Sequence, residues 1–275
     1  MLVAGKGIEL SSLVKIDRYY SHKPQPLRNV PVFTPSIIAV TAGVKHLQWQ
    51  GQSLRFNRLN WLLAAENQPL TFINEPAQDK FQSVQISFKS LPSLALLKQI
   101  STADKELLQP PSIEVNDNLK FAWSQLIAMA DLPLSTAAQQ YYLDGFYQQL
   151  HEVGALSQLF ADELFSLRQK VSRYLSTDPA NHHSIESTSA QFAMSPATFM
   201  RHLSKENASF REILAEVRML NAISIMQSVN FRKEQPLSQL ELAFRCGYQS
   251  ESRFSQRFKA QFGVSLKQYQ QTIAC

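Results

Sequence analysis

The sequence predicts an α+β protein with a strand-rich N-terminal domain and an all-helical C-terminal domain. Three observations carry that expectation. Short apolar runs separated by turn-like breaks fill residues 30–90, and helical spacing takes over near Leu91. Positive charge gathers late in the chain: residues 166–275 hold 14 Lys and Arg against 8 Asp and Glu, whereas residues 1–165 hold 13 against 14. A length of 275 residues suits two domains, expected at 1–165 and 166–275. Apolar residues make up 44% of the chain and charged ones 18%, a balance that supplies a core and argues against disorder.

Pro24, Pro26, Pro31 and Pro35 exclude helix over residues 24–35, which read as an extended entry. β-type runs follow at Ser36–Thr41, His46–Gln50, Ser53–Asn57, Trp61–Ala65, Leu70–Asn74 and Ser83–Phe88. Breaks at Ala42-Gly43, Gly51-Gln52, Asn67-Gln68-Pro69 and Glu75-Pro76 separate them. Many short strands with regular breaks predict a small barrel or sandwich. Leu94, Leu97 and Lys98 then begin a helical stretch. Two amphipathic helices are expected over Asn118–Ala130 and Ala137–Val153, antiparallel across the break at Asp131-Leu132-Pro133. Phe121, Leu126, Ile127 and Ala130 mark the apolar face of the first, and Tyr142, Phe146, Gln149 and Leu150 that of the second. The pair either closes the N-terminal domain or forms a dimer seam. Residues 176–189 are polar and in part loop.

No window approaches the ~18 uninterrupted apolar residues of a membrane span. Met1 to Leu13 lack the pattern of a secretory leader, so a cytoplasmic protein is expected. Cys246 and Cys275, far apart, form neither a disulfide framework nor a metal site. A basic domain beside a neutral one suggests nucleic acid as the partner of the first.

Residues 184–275 carry the more specific signals. Ser195-Pro196 opens a helix, with serine as cap and proline at the first helical position. Phe199 and Leu203 point into a core from it, while Ala197, Met200 and Arg201 lie opposite. A short helix with one apolar stripe and an outward arginine is what a recognition helix needs. Ser209-Phe210-Arg211-Glu212 reads as a capping box before a long helix over about 210–228, roughly 28 Å long. Leu242 and Ala243 then sit on a further helix, which Gly247 ends in a tight turn. Ser250 caps a helix in which Phe254 and Phe258 repeat the stripe of Phe199 and Leu203. Ser252, Arg253 and Gln256 face the other way, with Arg257 and Lys259 at the flanks. Helix, turn and arginine-bearing helix thus occur twice.

Residues from about 184 to 272 resemble the DNA-binding domain of AraC/XylS-type transcription regulators. The resemblance rests on Gly247-Tyr248 through Phe254, Arg257-Phe258-Lys259, Phe262-Gly263 and Tyr269, and in the first unit on Met194-Ser195, Phe199 and Arg201. It implies two helix-turn-helix units joined by a helix and reading two adjacent major-groove segments. The chain departs from the family pattern in several places. Thr188 and Ser189 replace apolar and alanine residues, which predicts a weak first scaffold helix. Gln256 replaces a frequent arginine, Leu266 a proline and Gln270 an arginine.

Arg201 is the leading base-contact candidate, because arginine can donate two hydrogen bonds to guanine. A phosphate contact is the alternative. Met200, Ala197 and Thr198 are candidates for thymine methyl groups or for plain surface. Ser252, Arg253 and Gln256 are the second unit's readers. Arg257, Lys259 and Lys205 are assigned to phosphate or to solvent. Specificity is expected to concentrate in the first unit.

The arrangement of residues 30–90 is similar to the cupin-like sensing and dimerisation domains of that family. That likeness implies a small-molecule or protein effector, with Ile38, Val40, Leu47, Trp49, Phe56, Leu63, Phe72, Val84, Ile86 and Phe88 as walls or as simple core. It also implies a homodimer, RNA polymerase as partner and activation as the mode. Two other classes compete. A metal-dependent cupin-type enzyme would need clustered ligands, which His22, His46, His151, His182, His183 and His202 do not form in sequence. A protein-interaction scaffold would not need arginines on both outward faces. No catalytic residue, metal ligand or cofactor is assigned.

Overall fold

The computed structural model describes residues 13–66, 68–99, 110–130, 132–160, 166–232, 234–235 and 237–274. Asn67, Asp131, Cys275 and the first twelve residues, named in several expectations above, lie outside the described residues. So do residues 161–165, beside the expected domain boundary.

Nine strands build two antiparallel sheets among the described residues. They are β1 (Val14–Ser21), β2 (Gln25–Val30), β3 (Ser36–Ala42), β4 (Val44–Trp49), β5 (Gln52–Phe56), β6 (Asn60–Ala64), β7 (Leu70–Glu75), β8 (Phe81–Phe88) and β9 (Ser112–Glu114). One sheet has the order β1-β8-β3-β6-β9 and the other β2-β7-β4-β5. All six expected strands form, within a residue or two of their expected ends. β1, β2 and β9 were not foreseen. Pro26 is accommodated because β2 is an edge strand, where a missing N–H breaks no inner ladder. Gly43, with φ +75°, turns the chain from β3 into β4 and so from one sheet into the other. A Cβ there would lie 2.5 Å from the Glu75 carbonyl oxygen.

The expected barrel is corrected to an open two-sheet sandwich, since no described strand pair joins the sheets. The five-stranded sheet is buried on both faces, and this is why β3 reads as an unbroken apolar run. Ile38 and Val40 face the other sheet with Leu47, Phe56 and Phe72. Ile37 and Ala39 face a helical layer instead, together with Leu63, Ile86 and Phe88. Nine of the ten expected wall residues are therefore split between two cores rather than lining one interior, and Val84 is half-buried and belongs to neither.

The helical layer comprises α1 (Leu94–Leu97), α2 (Asp117–Ala130), α3 (Thr136–Glu152) and α4 (Leu156–Leu159). Leu126, Met129, Leu143, Phe146, Tyr147 and Leu150 bury its inner face. Two face assignments need correction: Phe121 is 66% exposed, and Tyr142 also points outward. Leu143 takes the inward position between Gln139 and Phe146, at helical spacing.

The rest is α5 (Leu167–Ser176), α6 (Ile185–Gln191), α7 (Pro196–Lys205), α8 (Phe210–Phe231), α9 (Gln239–Arg245), α10 (Glu251–Phe262) and α11 (Leu266–Ile273). α8 runs 22 residues, roughly 33 Å and longer than expected. No described helix is long and apolar enough to cross a membrane.

The helical part docks on the sandwich where β1 and β2, the edge strands of the two sheets, lie. The Tyr20 N–H donates to Gln227 Oε1 at 3.0 Å, and Gln227 Nε2 donates to the Tyr20 carbonyl at 3.1 Å and to the Tyr269 hydroxyl at 2.8 Å. The His22 N–H donates to the Thr272 carbonyl at 2.7 Å. An open sheet edge presents unpaired backbone groups. Here side chain and backbone of α8 and α11 satisfy part of that edge.

Candidate nucleic-acid interface

Two helix-turn-helix units emerge from the helical part, and local chemistry explains each. In the first, Ser184 caps α6 through a reciprocal box with Ser187. In the second, Ser238 caps α9 by accepting from the Glu241 N–H. The first scaffold helix, α6, forms with Thr188 and Ser189 buried. The Ser189 hydroxyl donates to the Glu186 carbonyl, whereas Thr188 Oγ1 is buried without a partner.

The turns repeat the same bonds. The Ala193 N–H donates to Ala190 O and the Met194 N–H to Ser189 O. The Gly247 N–H donates to Phe244 O and the Tyr248 N–H to Ala243 O. Ala193 and Gly247 both take positive φ, at +53° and +75°. Glycine does so without steric cost and alanine does not.

The second helix of each unit begins at a serine cap. Ser195 accepts from the Thr198 N–H, and Ser250 accepts from the Arg253 N–H. Aligning cap with cap matches Ala197 to Ser252, Thr198 to Arg253, Phe199 to Phe254 and Arg201 to Gln256. The phenylalanines are fully buried. Ala197, Met200, Arg201 and Lys205 are exposed on α7, with Thr198 half-buried. Ser252, Arg253, Gln256 and Lys259 are exposed on α10.

Arg257 is different. It is half-buried, with Nη2 donating to Gln261 Oε1 at 3.1 Å. Its charge also bears on Glu216 of α8, which forms an ion pair with Arg168 of α5 at 2.8 Å. Burial raises the Glu216 carboxyl above its ordinary value, against the pull of both arginines. The sequence assigned Arg257 to phosphate or solvent, but its guanidinium is partly committed inside the fold.

The departures at the C-terminal end leave the fold intact. Leu266 is buried in place of the family's proline, and the Ser265–Gln268 capping box starts α11 without it. Gly263, with φ +78°, closes α10 in the left-handed conformation. Cys246 is buried and its thiol is pushed up to about 12, so it is not a reactive thiolate.

The two units are unequally supported. The first has its own core of Leu167, Val171, Leu175, Phe199, Leu203 and Ile213. The core of the second, with Phe254, Phe258, Phe262 and Tyr269, is continuous with the apolar interior between the sheets. Sequence reasoning missed this sharing, since no local pattern announces it. It also missed Arg218 and Glu216, which lie inside the long amphipathic helix.

Paired units of this kind, on one long helix, define a two-headed helix-turn-helix DNA-binding domain. Residues 188–272 match the family described as "Helix-turn-helix domain". This C-terminal domain is of the AraC type. The chain is 25% identical over 129 residues to the urease operon transcriptional activator of Escherichia coli, covering 47% of this chain and 41% of that one. It is 28% identical over 127 residues to the porin thermoregulatory protein EnvY of E. coli K12, covering 46% and 47%. The matches thus span less than half the length of these relatives. These relatives are described as a transcriptional activator and a thermoregulatory protein, not as enzymes. Over 94% of this chain and 98% of the other, the fold is similar to that of ToxT from Vibrio cholerae, at TM-score 0.59 and 14% identity. Another structure of that protein, with TM-score 0.57, 15% identity and coverage of 94% and 95%, is described as bound to an unsaturated fatty acid.

Proposed function

We propose that the chain is a sequence-specific DNA-binding transcription regulator that reads two adjacent major-groove segments, α7 in one and α10 in the other. The observation that carries this reading is the shared cap register. It puts Arg201 and Gln256 at the same helical position on two exposed faces joined by the 22-residue α8. Arg201 takes the base contact of the first segment. Arg253 and Gln256 read the second, where glutamine suits adenine. Ser252, Ala197, Thr198 and Met200 shape the two surfaces, and Lys205 and Lys259 bind phosphate.

Residues 1–165 form the sensing and dimerisation part and residues 166–275 the DNA-binding part. The protein works in the cytoplasm as an activator that engages RNA polymerase and dimerises. An effector acts through the N-terminal domain. Two findings support that last point: the apolar continuity between the sandwich and the second unit, and the fatty acid in the ToxT structure.

Gel-shift titrations on a selected site and a scrambled one test the reading. Arg201→Ala should cost about 1–3 kcal/mol on the selected site only. Lys259→Ala should weaken both DNAs alike and reduce the slope of log affinity against log salt by about one. Equal losses for both variants on both DNAs would remove the assignment.

A further inference from the structure

Arg218 lies near the middle of α8, and its contacts reach both helix-turn-helix units. Its Nε donates to the Pro179 carbonyl and its Nη2 to the Asn181 carbonyl, each at 3.0 Å. Those carbonyls belong to the segment that leads into Ser184, the cap of the first scaffold helix. On its other side the guanidinium lies 5.6 Å from the centre of the Tyr248 ring. It also fills the place where a side chain at Gly247 would begin: a Cβ there would lie 2.8 Å from Nη2. Gly247 and Tyr248 are the turn of the second unit. Asn221, one turn further along α8, adds a bond from Nδ2 to the Arg245 carbonyl at 3.3 Å.

One planar cation therefore ties the entry of the first unit to the turn of the second. Arginine suits this place. Its fork donates to two carbonyls while its charge lies over an aromatic ring, and a lysine ammonium is less suited to do both. The guanidinium is half-buried against these partners, the bond to the Pro179 carbonyl part-buried and that to the Asn181 carbonyl exposed.

We infer that Arg218 is a positioning residue that sets the distance and rotation between the two reading helices, and so the separation of the two DNA segments that the protein accepts. The inference rests on the two-segment reading above. Spacing is a sensitive variable, because one inserted base pair moves the second segment by ~3.4 Å and turns it by roughly 35°.

The test is in vitro selection from random duplex DNA with the full chain and with Arg218→Met. The wild type should enrich two short motifs at one separation. It should bind that site about tenfold or more tightly than one with a single base pair inserted, comparable to the cost of a mismatched base pair. Arg218→Met should enrich the same two motifs at several separations, with the preference reduced to about threefold or less. A variant that keeps the single separation overturns the inference and leaves the two-segment reading standing. So does a variant that retains wild-type helicity but loses both motifs. A single motif from the wild type overturns the two-segment reading, and the inference with it. If Arg218→Met does not fold, as judged by helicity, Arg218→Lys is read in its place with the same outcomes.

Discussion

Gln227→Met tests how firmly the helical part is joined to the sandwich. Gln227 is 3% exposed and makes two bonds across that junction, with Tyr20 N and Tyr20 O, and a third within the helical part to the Tyr269 hydroxyl. Methionine keeps the length and volume but makes none of them. A buried polar group left without its partner costs about 1–3 kcal/mol. The two backbone groups lie on a half-buried edge strand and regain some water, so a total loss of about 2–4 kcal/mol is expected. Urea unfolding followed by two signals reads it. The three tryptophans, Trp49, Trp61 and Trp123, all lie in the N-terminal part, so their fluorescence reports the sandwich and its helical layer. Far-ultraviolet circular dichroism is weighted toward helix, and hence toward the C-terminal part. The variant should lose stability and its two transitions should separate. Coincident transitions with a loss under about 0.5 kcal/mol would refute the reasoning, since surface substitutions already reach that size.

Three further outcomes follow from the packing and the buried charges. Phe199→Ala and Phe258→Ala should each cost about 3–5 kcal/mol. Only the second should shift the tryptophan transition, because only Phe258 shares a core with the sheets. Burial holds Lys45 well below its ordinary value of 10.5, so the unfolded chain binds the proton more readily. Between the depressed value and 10.5, wild-type stability should rise by up to about 1.4 kcal/mol per pH unit and fall again as pH drops. Lys45→Met should lack that rise; a pH profile of stability parallel to the wild type would contradict it. Gly247→Ala and Gly51→Ala both pay for a positive φ, but only the former meets a neighbour, the Arg218 guanidinium. Its fall in melting temperature should be clearly the larger of the two.

What was legible in the sequence is what local chemistry writes. Serine caps at 195, 209 and 250, the turn at Gly247 and the apolar stripes of Phe199, Leu203, Phe254 and Phe258 all appear where the residues placed them. The six expected strands are equally local. β1 was missed because its alternation is masked by polar and aromatic residues, Val14 to Ser21 being mostly half-buried against the helical part. β2 was hidden by Pro26, and its role as an edge becomes visible only with the sheet order. The barrel was over-read because strand count and spacing do not say whether the last pair closes. Phe121 and Tyr142 were assigned inward from hydrophobicity alone, yet a neighbour decides which face of a helix is buried. At the interface, the exposed positions followed from spacing. Arg257 did not, since its neighbour Glu216 lies 41 residues away in the chain and meets it only in the folded state.

The unequal support of the two heads bears on which of them the N-terminal domain can influence. The first unit closes most of its own core, and the sandwich touches it through Phe33, which packs against that core 5.9 Å from the Arg168 guanidinium, and through the Ser166–Glu66 bond. The second is tied to the sandwich more extensively. A line of donors runs from the interior into α11: Lys45 Nζ to Asn74 Oδ1 at 2.5 Å, Asn74 Nδ2 to Gln25 Oε1 at 3.0 Å, and Gln25 Nε2 to Thr272 Oγ1 at 2.7 Å. Thr272 in turn donates to the Tyr269 carbonyl. Lys45, Asn74 and Gln25 are almost fully buried, and Lys45 also lies 3.4 Å from the centre of the Phe72 ring. Buried polar chains of this kind are costly when half-satisfied, so they hold one geometry. Gln261 Nε2 adds a bond from α10 to the Asn29 carbonyl, and the Arg28 side chain covers Gly263 at the end of the same helix. The second reading helix is thus seated by the sandwich at its C-terminal end, while its N-terminal residues Ser252, Arg253 and Gln256 stay exposed. On the proposed reading, in which Arg201 is the leading base contact, specificity and the greater sensitivity to the N-terminal domain fall on different heads. The same proposal expects a change in the sandwich to alter the second contact more than the first.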